Sequence, residues 1–153
     1  MKKIFIVASV LLMCCMFMGC GVKAKLDGTW KSNNVYEQVY DDYTRTDTTD
    51  STLTINKDGT FALETVFSRR YNSKVYEGYS ETEKASGTWY YHDSDKVILK
   101  TTHYELKGDG DDEVYEDNDT DYYLTDLVLV DDSLFIETET KLLEGVFEFT
   151  KAE

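Results

Sequence analysis

The two histidines are the side chains best suited to proton transfer near neutral pH. His92 falls in a predicted turn, His92-Asp93-Ser94-Asp95, and His103 falls in a predicted strand. Neither has a second histidine close by, as common zinc motifs do. The chain also lacks a Gly-x-Ser-x-Gly motif and a glycine-rich phosphate loop. We therefore expect no catalytic residue, no cofactor and no enzymatic activity.

Carboxylates are concentrated between residues 105 and 121. They are Glu105, Asp109, Asp111, Asp112, Glu113, Glu116, Asp117, Asp119 and Asp121. Calcium takes about six to eight oxygen ligands, which so many carboxylates could supply. In an EF-hand register starting at Asp109, however, Val114 occupies the glycine position and Thr120 the position of the final Glu. The sequence therefore predicts a solvated acidic loop in preference to a calcium site, and no metal ligands.

The residues that precede Cys20 have the pattern of a secretory signal. Lys2 and Lys3 are followed by a mostly apolar segment, residues 4–18, and Gly19 precedes Cys20. A charged start, an apolar stretch and a final small residue are typical of a secretory signal. This order predicts that residues 1–19 are removed from the mature chain.

The segment resembles a bacterial lipoprotein signal, in which the cysteine is lipidated and becomes the new N-terminus. Phe17 and Met18 stand where that motif usually has leucine and a small residue. Two alternatives stay open: cleavage by an ordinary signal peptidase after Gly19, and an uncleaved membrane anchor. For the anchor, residues 4–18 are fewer than the roughly 20 that span a bilayer as a helix. We expect 1–19 to be the signal peptide, 20–25 a lipidated tether and 26–153 the folded domain, on the extracytoplasmic side of a bacterial membrane.

The mature chain is strongly acidic, with 30 Asp and Glu against 14 Lys and Arg and a net charge of −16. This charge argues against binding to nucleic acid or to anionic lipid headgroups. A tether of residues 21–25 reaches at most about 20 Å, so the domain would stay near the membrane that holds its lipid. Solubility is the preferred interpretation of the charge, and attraction of cationic partners is the alternative.

The mature chain alternates apolar and polar residues with the period of a β-strand. Leu53 and Ile55 alternate with threonines, and Phe61, Leu63 and Thr65 share one face of the following segment. Gly, Asp and Asn mark the turns, most clearly in Asn56-Lys57-Asp58-Gly59. About eight to ten strands at short spacing, with no crossover helix, predict an all-β, antiparallel up-and-down barrel.

Several short motifs occur in an order that resembles the small bacterial lipocalin-like domains of cell-envelope lipoproteins. They are Leu26-Asp27-Gly28-Thr29-Trp30, residues 53–61, Ser86-Gly87-Thr88-Trp89-Tyr90, Leu127-Val128-Leu129 and Leu134-Phe135-Ile136. The resemblance implies a meandering antiparallel barrel and no defined reaction. In the two Gly-Thr-Trp triplets we expect the glycine to allow a tight bend into a strand. We expect Trp30 and Trp89 to pack the interior rather than stack on a ligand.

Two functions fit a membrane-anchored barrel without catalytic residues. The first is binding of a small apolar or amphipathic ligand in an open lumen lined by residues such as Phe61, Leu63, Val97 and Leu99. The second is a protein–protein interaction or structural role in the envelope, with a filled barrel and an exposed apolar patch. The twelve tyrosines suit either function, although most are expected to be ordinary strand formers on half-buried faces.

Overall fold

The computed structural model describes residues 26–91, 96–108, 115–117, 124–130, 132–139 and 144–152. These residues form nine antiparallel strands. The strands are β1 (Gly28–Val39), β2 (Thr44–Ile55), β3 (Thr60–Tyr71), β4 (Tyr79–Tyr91), β5 (Lys96–Gly108), β6 (Tyr115–Asp117), β7 (Leu124–Val130), β8 (Ser133–Glu139) and β9 (Glu144–Lys151). The predictions about Cys20, about His92 and about most of the acidic stretch fall outside these ranges.

Eight of the strands close into an up-and-down barrel in which each strand pairs with its neighbour along the chain. β4 pairs with β5, β5 pairs with β7 through Lys96–Lys100, and β9 returns to β1 through Trp30↔Lys151 and Lys31↔Thr150. The short β6 is a ninth strand on the outer part of β5. The predicted all-β, antiparallel barrel of eight to ten strands is therefore confirmed.

The barrel is filled by its own side chains at the end where the chain enters β1, which we call the closed end. The buried cluster comprises Leu26, Trp30, Leu53, Ile55, Phe61, Leu63, Ala85, Trp89, Val97, Leu99, Tyr104, Leu127, Leu134, Ile136 and Phe149. Trp30 Nε1–H donates to the Leu26 carbonyl at 2.8 Å, and Trp89 Nε1–H donates to the Asn56 carbonyl at 2.9 Å. Both tryptophans thus bury their rings and satisfy their only donors inside the protein, as the sequence predicted.

The predicted hairpin turn between β2 and β3 is also confirmed. Gly59 has φ +90°, a conformation that glycine adopts without steric cost. The Asp58 carboxylate accepts hydrogen bonds from the Thr60 amide at 3.0 Å and the Thr60 hydroxyl at 2.6 Å. The amide of Trp89 donates to the Gly59 carbonyl at 2.8 Å, so this turn is tied to β4 at the closed end.

Gly87 has a different role from the one that its Gly-Thr-Trp triplet suggested. Gly28, with φ +129°, begins a strand as expected, but Gly87 lies inside β4. The β4–β5 register shifts between Ser86, which pairs with His103, and Gly87, which pairs with Thr101. A Cβ built on Gly87 would overlap the backbone carbonyl of Lys100. The glycine is therefore required by a close approach of two strands at a β-bulge.

The barrel is less completely paired toward its other end. β1 to β5 have 12 or 13 residues each, whereas β7 to β9 have seven or eight. Beyond Lys31, β1 has β2 as its only strand neighbour among the described residues. Val35, Tyr36 and Val39 are all exposed, so this part of β1 does not bury one face in the way that strand-period alternation predicts. No strand among the described residues covers them on the far side.

Candidate functional site

Six tyrosines lie at the end of the barrel opposite Trp30, where β1 and β3 end and β2 and β4 begin. We call this surface the aromatic end and define it by Tyr36, Tyr40, Tyr43, Tyr71, Tyr76 and Tyr79. Two loops carry part of it, residues 40–43 between β1 and β2 and residues 72–78 between β3 and β4. The meander brings these loops side by side because β1, β2, β3 and β4 are consecutive neighbours in the sheet.

Tyr43 is the centre of the aromatic contacts. Its ring stacks on Tyr40 with centroids 4.5 Å apart, and it contacts Tyr76 at 4.8 Å and Tyr71 at 5.8 Å. Tyr71 and Tyr76 also contact each other at 5.4 Å. Four rings from two loops and a strand thus support one another, an arrangement that offers a large, preformed contact area at low cost in side-chain entropy.

The aromatic end carries most of the exposed apolar side chains in the described part of the protein. Seven of the eleven are Val35, Tyr36, Val39, Tyr40, Val75, Tyr76 and Tyr79. Val75 and Val39 are the most exposed of them, at 81% and 78%. Single exposed apolar residues are ordinary, but a group of them rimmed by polar residues marks an interaction surface. Asp41, Asp42 and Glu77 are exposed in the same loops and supply that rim.

An arginine–aspartate cluster lies on the inner face of the sheet just below the tyrosines. Arg69 donates to Asp47 from Nε at 2.7 Å and from Nη2 at 2.9 Å, and Arg45 Nη2 lies 2.9 Å from the same carboxylate. The Arg69 guanidinium carbon is 5.4 Å from the ring centres of both Phe67 and Tyr79. Bidentate pairing and cation–π contacts fix Arg69 in one orientation.

The charges of this cluster stabilise one another. The hydrogen bond from Arg69 lowers the pKa of the Asp47 carboxyl, with smaller contributions from the positive charges of Arg69 and Arg45. The same hydrogen bond raises the pKa of the Arg69 guanidinium. Desolvation by neighbouring side chains raises the pKa of Tyr43. Asp47 and Arg69 therefore stay ionised and Tyr43 stays neutral across the physiological pH range, so a fixed ion pair lies beneath a neutral tyrosine ring.

Sequence reasoning missed this cluster, although one signal for it was present. Arg45 and Asp47 share a face of β2, and Arg69 shares a face of β3 with Phe67. The sequence does not show that Asp47 pairs with Arg69, because that depends on the β2–β3 register. The Nε of Arg45 is buried without a hydrogen-bond acceptor among the described residues, so the cluster retains one unused donor.

A buried polar row separates the aromatic end from the apolar core. Ser32, Ser51, Thr65 and Glu83 are consecutive cross-strand neighbours on β1 to β4. All four are buried, Glu83 to 1% exposure, and the hydroxyls of Ser51 and Thr65 are 3.1 Å apart. Burial of a polar side chain costs free energy unless the side chain is hydrogen-bonded. This row of buried polar side chains therefore marks the level at which the apolar core ends.

The residues expected to line an open lumen lie instead in the core. Phe61, Leu63, Val97 and Leu99 are at most 7% exposed and belong to the buried cluster. This part of the barrel is therefore filled by its own side chains, one of the two interiors that an eight-stranded barrel adopts. A ligand in the barrel would have to lie above them, near the buried polar row.

His103 lies on the outer wall of the barrel, away from the aromatic end. Its Nε2 is 2.8 Å from Glu105 Oε1, and both side chains border a groove of about 260 Å³ across β2 to β5. Small side chains such as Ala62 and Ser86 form part of this groove. Within the described ranges no three His, Cys, Asp or Glu side chains come together as metal ligands. No helix in those ranges has the length and apolar character needed to cross a membrane.

A comparison of the sequence with protein-family models finds no match, and a comparison with curated proteins finds none either. The site is therefore interpreted from its own geometry and chemistry.

Proposed function

We propose that this chain is a lipid-anchored, non-catalytic binding domain of the bacterial cell envelope, and that it binds another envelope protein through the aromatic end. The observation that carries the proposal is the concentration of exposed apolar side chains there, seven of eleven in the described ranges. Aromatic side chains are enriched in protein interfaces, and a filled barrel is the interior expected of such a module.

The place where the chain enters the barrel supports this proposal. Leu26 is buried at the closed end, where its carbonyl accepts the hydrogen bond from Trp30. A short tether between Cys20 and Leu26 would hold the closed end near the membrane. The 12 residues of β1, at about 3.3 Å per residue and a barrel tilt of about 40°, then raise the aromatic end by about 30 Å. That position favours a protein partner over the lipid surface.

Site-specific photocrosslinking in living cells tests the proposal. A photoreactive phenylalanine derivative at Tyr76, on the aromatic end, should give one discrete adduct of higher mass. The same derivative at Thr102, which is exposed on the outer wall in β5, is the matched control and should give none. Adducts of equal yield from both positions, or from neither, would contradict the proposal.

The membrane anchor has its own test. Cys20→Ala should abolish metabolic labelling with a fatty acid and release the protein from the membrane fraction. Retention of the label in that variant would refute lipidation at Cys20. The crosslinking result would still report on the aromatic end, because the two experiments address different parts of the chain.

A small amphipathic ligand is the second candidate, and the buried polar row favours it. Three hydroxyls and the Glu83 carboxylate above an apolar core would suit a polar headgroup. Native mass spectrometry of the protein purified from its own host distinguishes the two functions. A bound small molecule that is lost after Thr65→Val would establish this candidate, and a mass equal to that of the lipidated chain alone would exclude it.

A further inference from the structure

The outer half of β1 is a long strand edge without a partner strand in the described part of the protein. β1 pairs with β2 at every position from Gly28 to Val39, but it pairs with β9 only at Trp30 and Lys31. β9 continues along β8 as far as Glu144. β1 and β9 therefore diverge beyond Lys31. We call residues 32–39 of β1 the free edge.

The backbone groups that face outward from the free edge are defined by the hydrogen bonds at its base. The Ala152 amide donates to the Thr29 carbonyl at 2.8 Å, so Thr29 faces β9. Amide and carbonyl directions alternate along a strand, and the β1–β2 register is continuous. The amides and carbonyls of Asn33, Val35, Glu37 and Val39 therefore face away from β2.

The free edge lacks the features that usually prevent an edge strand from pairing. It has no proline and no bulge, and Glu37 is its one charged residue. Val35, Tyr36 and Val39 expose 59%, 59% and 78% of their surfaces. Long, exposed and apolar edges are templates for the addition of another strand.

The surrounding charges specify which strand would fit. Glu37 lies within the free edge, Asp41 and Asp42 follow it, and Glu148 is exposed on the diverging β9. The net charge of −16 also disfavours a second copy of the same chain, because two such chains repel each other. A segment with alternating basic and apolar side chains would pair its backbone with β1 and place its apolar side chains on the face of Val35 and Val39. Its positive charge would be attracted by these carboxylates.

We propose that the free edge of β1 binds an extended basic segment of a partner protein by β-strand addition. This inference rests on the proposed function, because it names the way in which the partner of the aromatic end is held. The apolar side chains of the added strand contact Val35 and Val39. Its backbone forms hydrogen bonds with the four residues of the free edge whose amides and carbonyls face away from β2.

The test uses the full chain in detergent micelles and a capped octapeptide of alternating lysine and valine as the probe. Binding is measured by fluorescence anisotropy, and amide hydrogen exchange is followed by NMR. We expect saturable binding, with slower exchange at Val35 and Glu37. A lysine–glycine octapeptide of the same charge and a glutamate–valine octapeptide should both bind at least 10-fold more weakly.

Two variants at one position separate backbone pairing from side-chain contact. Val35→Pro removes an outward-facing amide without removing a β1–β2 hydrogen bond. It should lower the affinity for the lysine–valine probe at least 10-fold. Val35→Ala keeps that amide and should weaken binding less than about threefold. A lysine–valine probe with N-methylated valines tests the same hydrogen bonds on the unaltered protein, so the result does not depend on how well the proline variant folds.

Equal binding of the methylated and unmethylated probes would overturn the proposal. So would sedimentation of the unaltered chain as a dimer that Val35→Pro converts to a monomer, since the occupant would then be a second copy. A crosslink at Tyr76 that persists in Val35→Pro would leave the proposed function standing while removing strand addition as its mode.

Discussion

At the scale of single residues, Arg45 and Arg69 share the Asp47 carboxylate as their counter-ion, so none of these three charges is unpaired. The Asp47 side chain is only 11% exposed and accepts hydrogen bonds from both arginines. Removal of the carboxylate leaves two adjacent guanidinium groups without their shared counter-ion. The cluster thereby fixes the β2–β3 register just below the aromatic end.

Asp47→Asn should lower the free energy of unfolding by about 2 kcal/mol, because charge-assisted hydrogen bonds in a partly buried site are lost. Urea denaturation followed by tryptophan fluorescence measures the change. Asp41→Asn, an exposed loop residue, is the matched control and should change stability by less than about 0.5 kcal/mol. Equal stability of the Asp47→Asn variant and the unaltered protein would contradict the role given to the cluster.

The pH dependence of that stability difference follows from the lowered pKa of Asp47. A carboxyl with a folded-state pKa below its ordinary value of 3.8 stabilises the protein above the unfolded-state pKa. The stabilisation is lost as the pH falls through the folded-state pKa. The difference between the unaltered protein and Asp47→Asn should thus be constant from pH 7 to about 5 and shrink below about pH 4.

At the scale of elements, Gly87 in β4 allows the close approach of β5 at the β-bulge where the register of the two strands changes. β5 has 13 residues and pairs with β7 through its first part and with β6 farther along. The bulge at Ser86 and Gly87 changes the register between these two parts. Bulges bend and twist the strand that contains them. The first part of β5 can therefore pair with β7 to close the barrel, while its later part pairs with β6.

Gly87→Ala should destabilise the protein by about 3 kcal/mol, because its methyl group would overlap the Lys100 carbonyl and separate two hydrogen-bonded strands. Thermal and urea unfolding measure the effect. Ser86→Ala, at the neighbouring position, leaves the bulge unchanged and should cost less than about 1 kcal/mol. A Gly87→Ala variant as stable as Ser86→Ala would show that the close approach is not required.

At the scale of the whole molecule, the barrel has two unlike ends. The closed end contains the buried tryptophans and the buried Leu26, where the described residues begin. The other end exposes tyrosines and valines and lies above a buried polar row. An acidic barrel on a short lipid tether would be repelled by anionic headgroups, which favours an upright position with the aromatic end away from the membrane.

Fluorescent labels at the two ends test this orientation. Lys57→Cys lies in the β2–β3 turn at the closed end, and Lys74→Cys lies in the β3–β4 loop. If the chain is processed and lipidated as proposed, each introduced thiol would be unique, because Cys14 and Cys15 would leave with the signal peptide and the lipid would block Cys20. In anionic vesicles with a quencher on the headgroups, the label at residue 57 should be quenched more strongly. Stronger quenching at residue 74 would contradict an upright barrel.

The amino-acid sequence by itself determined the class of fold, the turn between β2 and β3 and the burial of the two tryptophans. Alternation from residues 53 to 67 predicted the strands because burial of one face needs a period of two, and Asn56–Gly59 predicted its turn because the positive φ of Gly59 favours glycine. The buried tryptophans followed from their size. These are local properties, which neighbouring residues in the chain decide.

Only the tertiary structure decided which residues meet at the aromatic end and which edge of the sheet has no partner strand among the described residues. Tyr43 contacts Tyr71 and Tyr76, and Asp47 contacts Arg69, across separations of 22 to 33 residues. Such contacts depend on strand register, and a shift of one residue would turn every side chain to the other face of the sheet. Likewise, alternation predicts that β1 is a strand but not where it diverges from β9, because that depends on how the whole barrel closes.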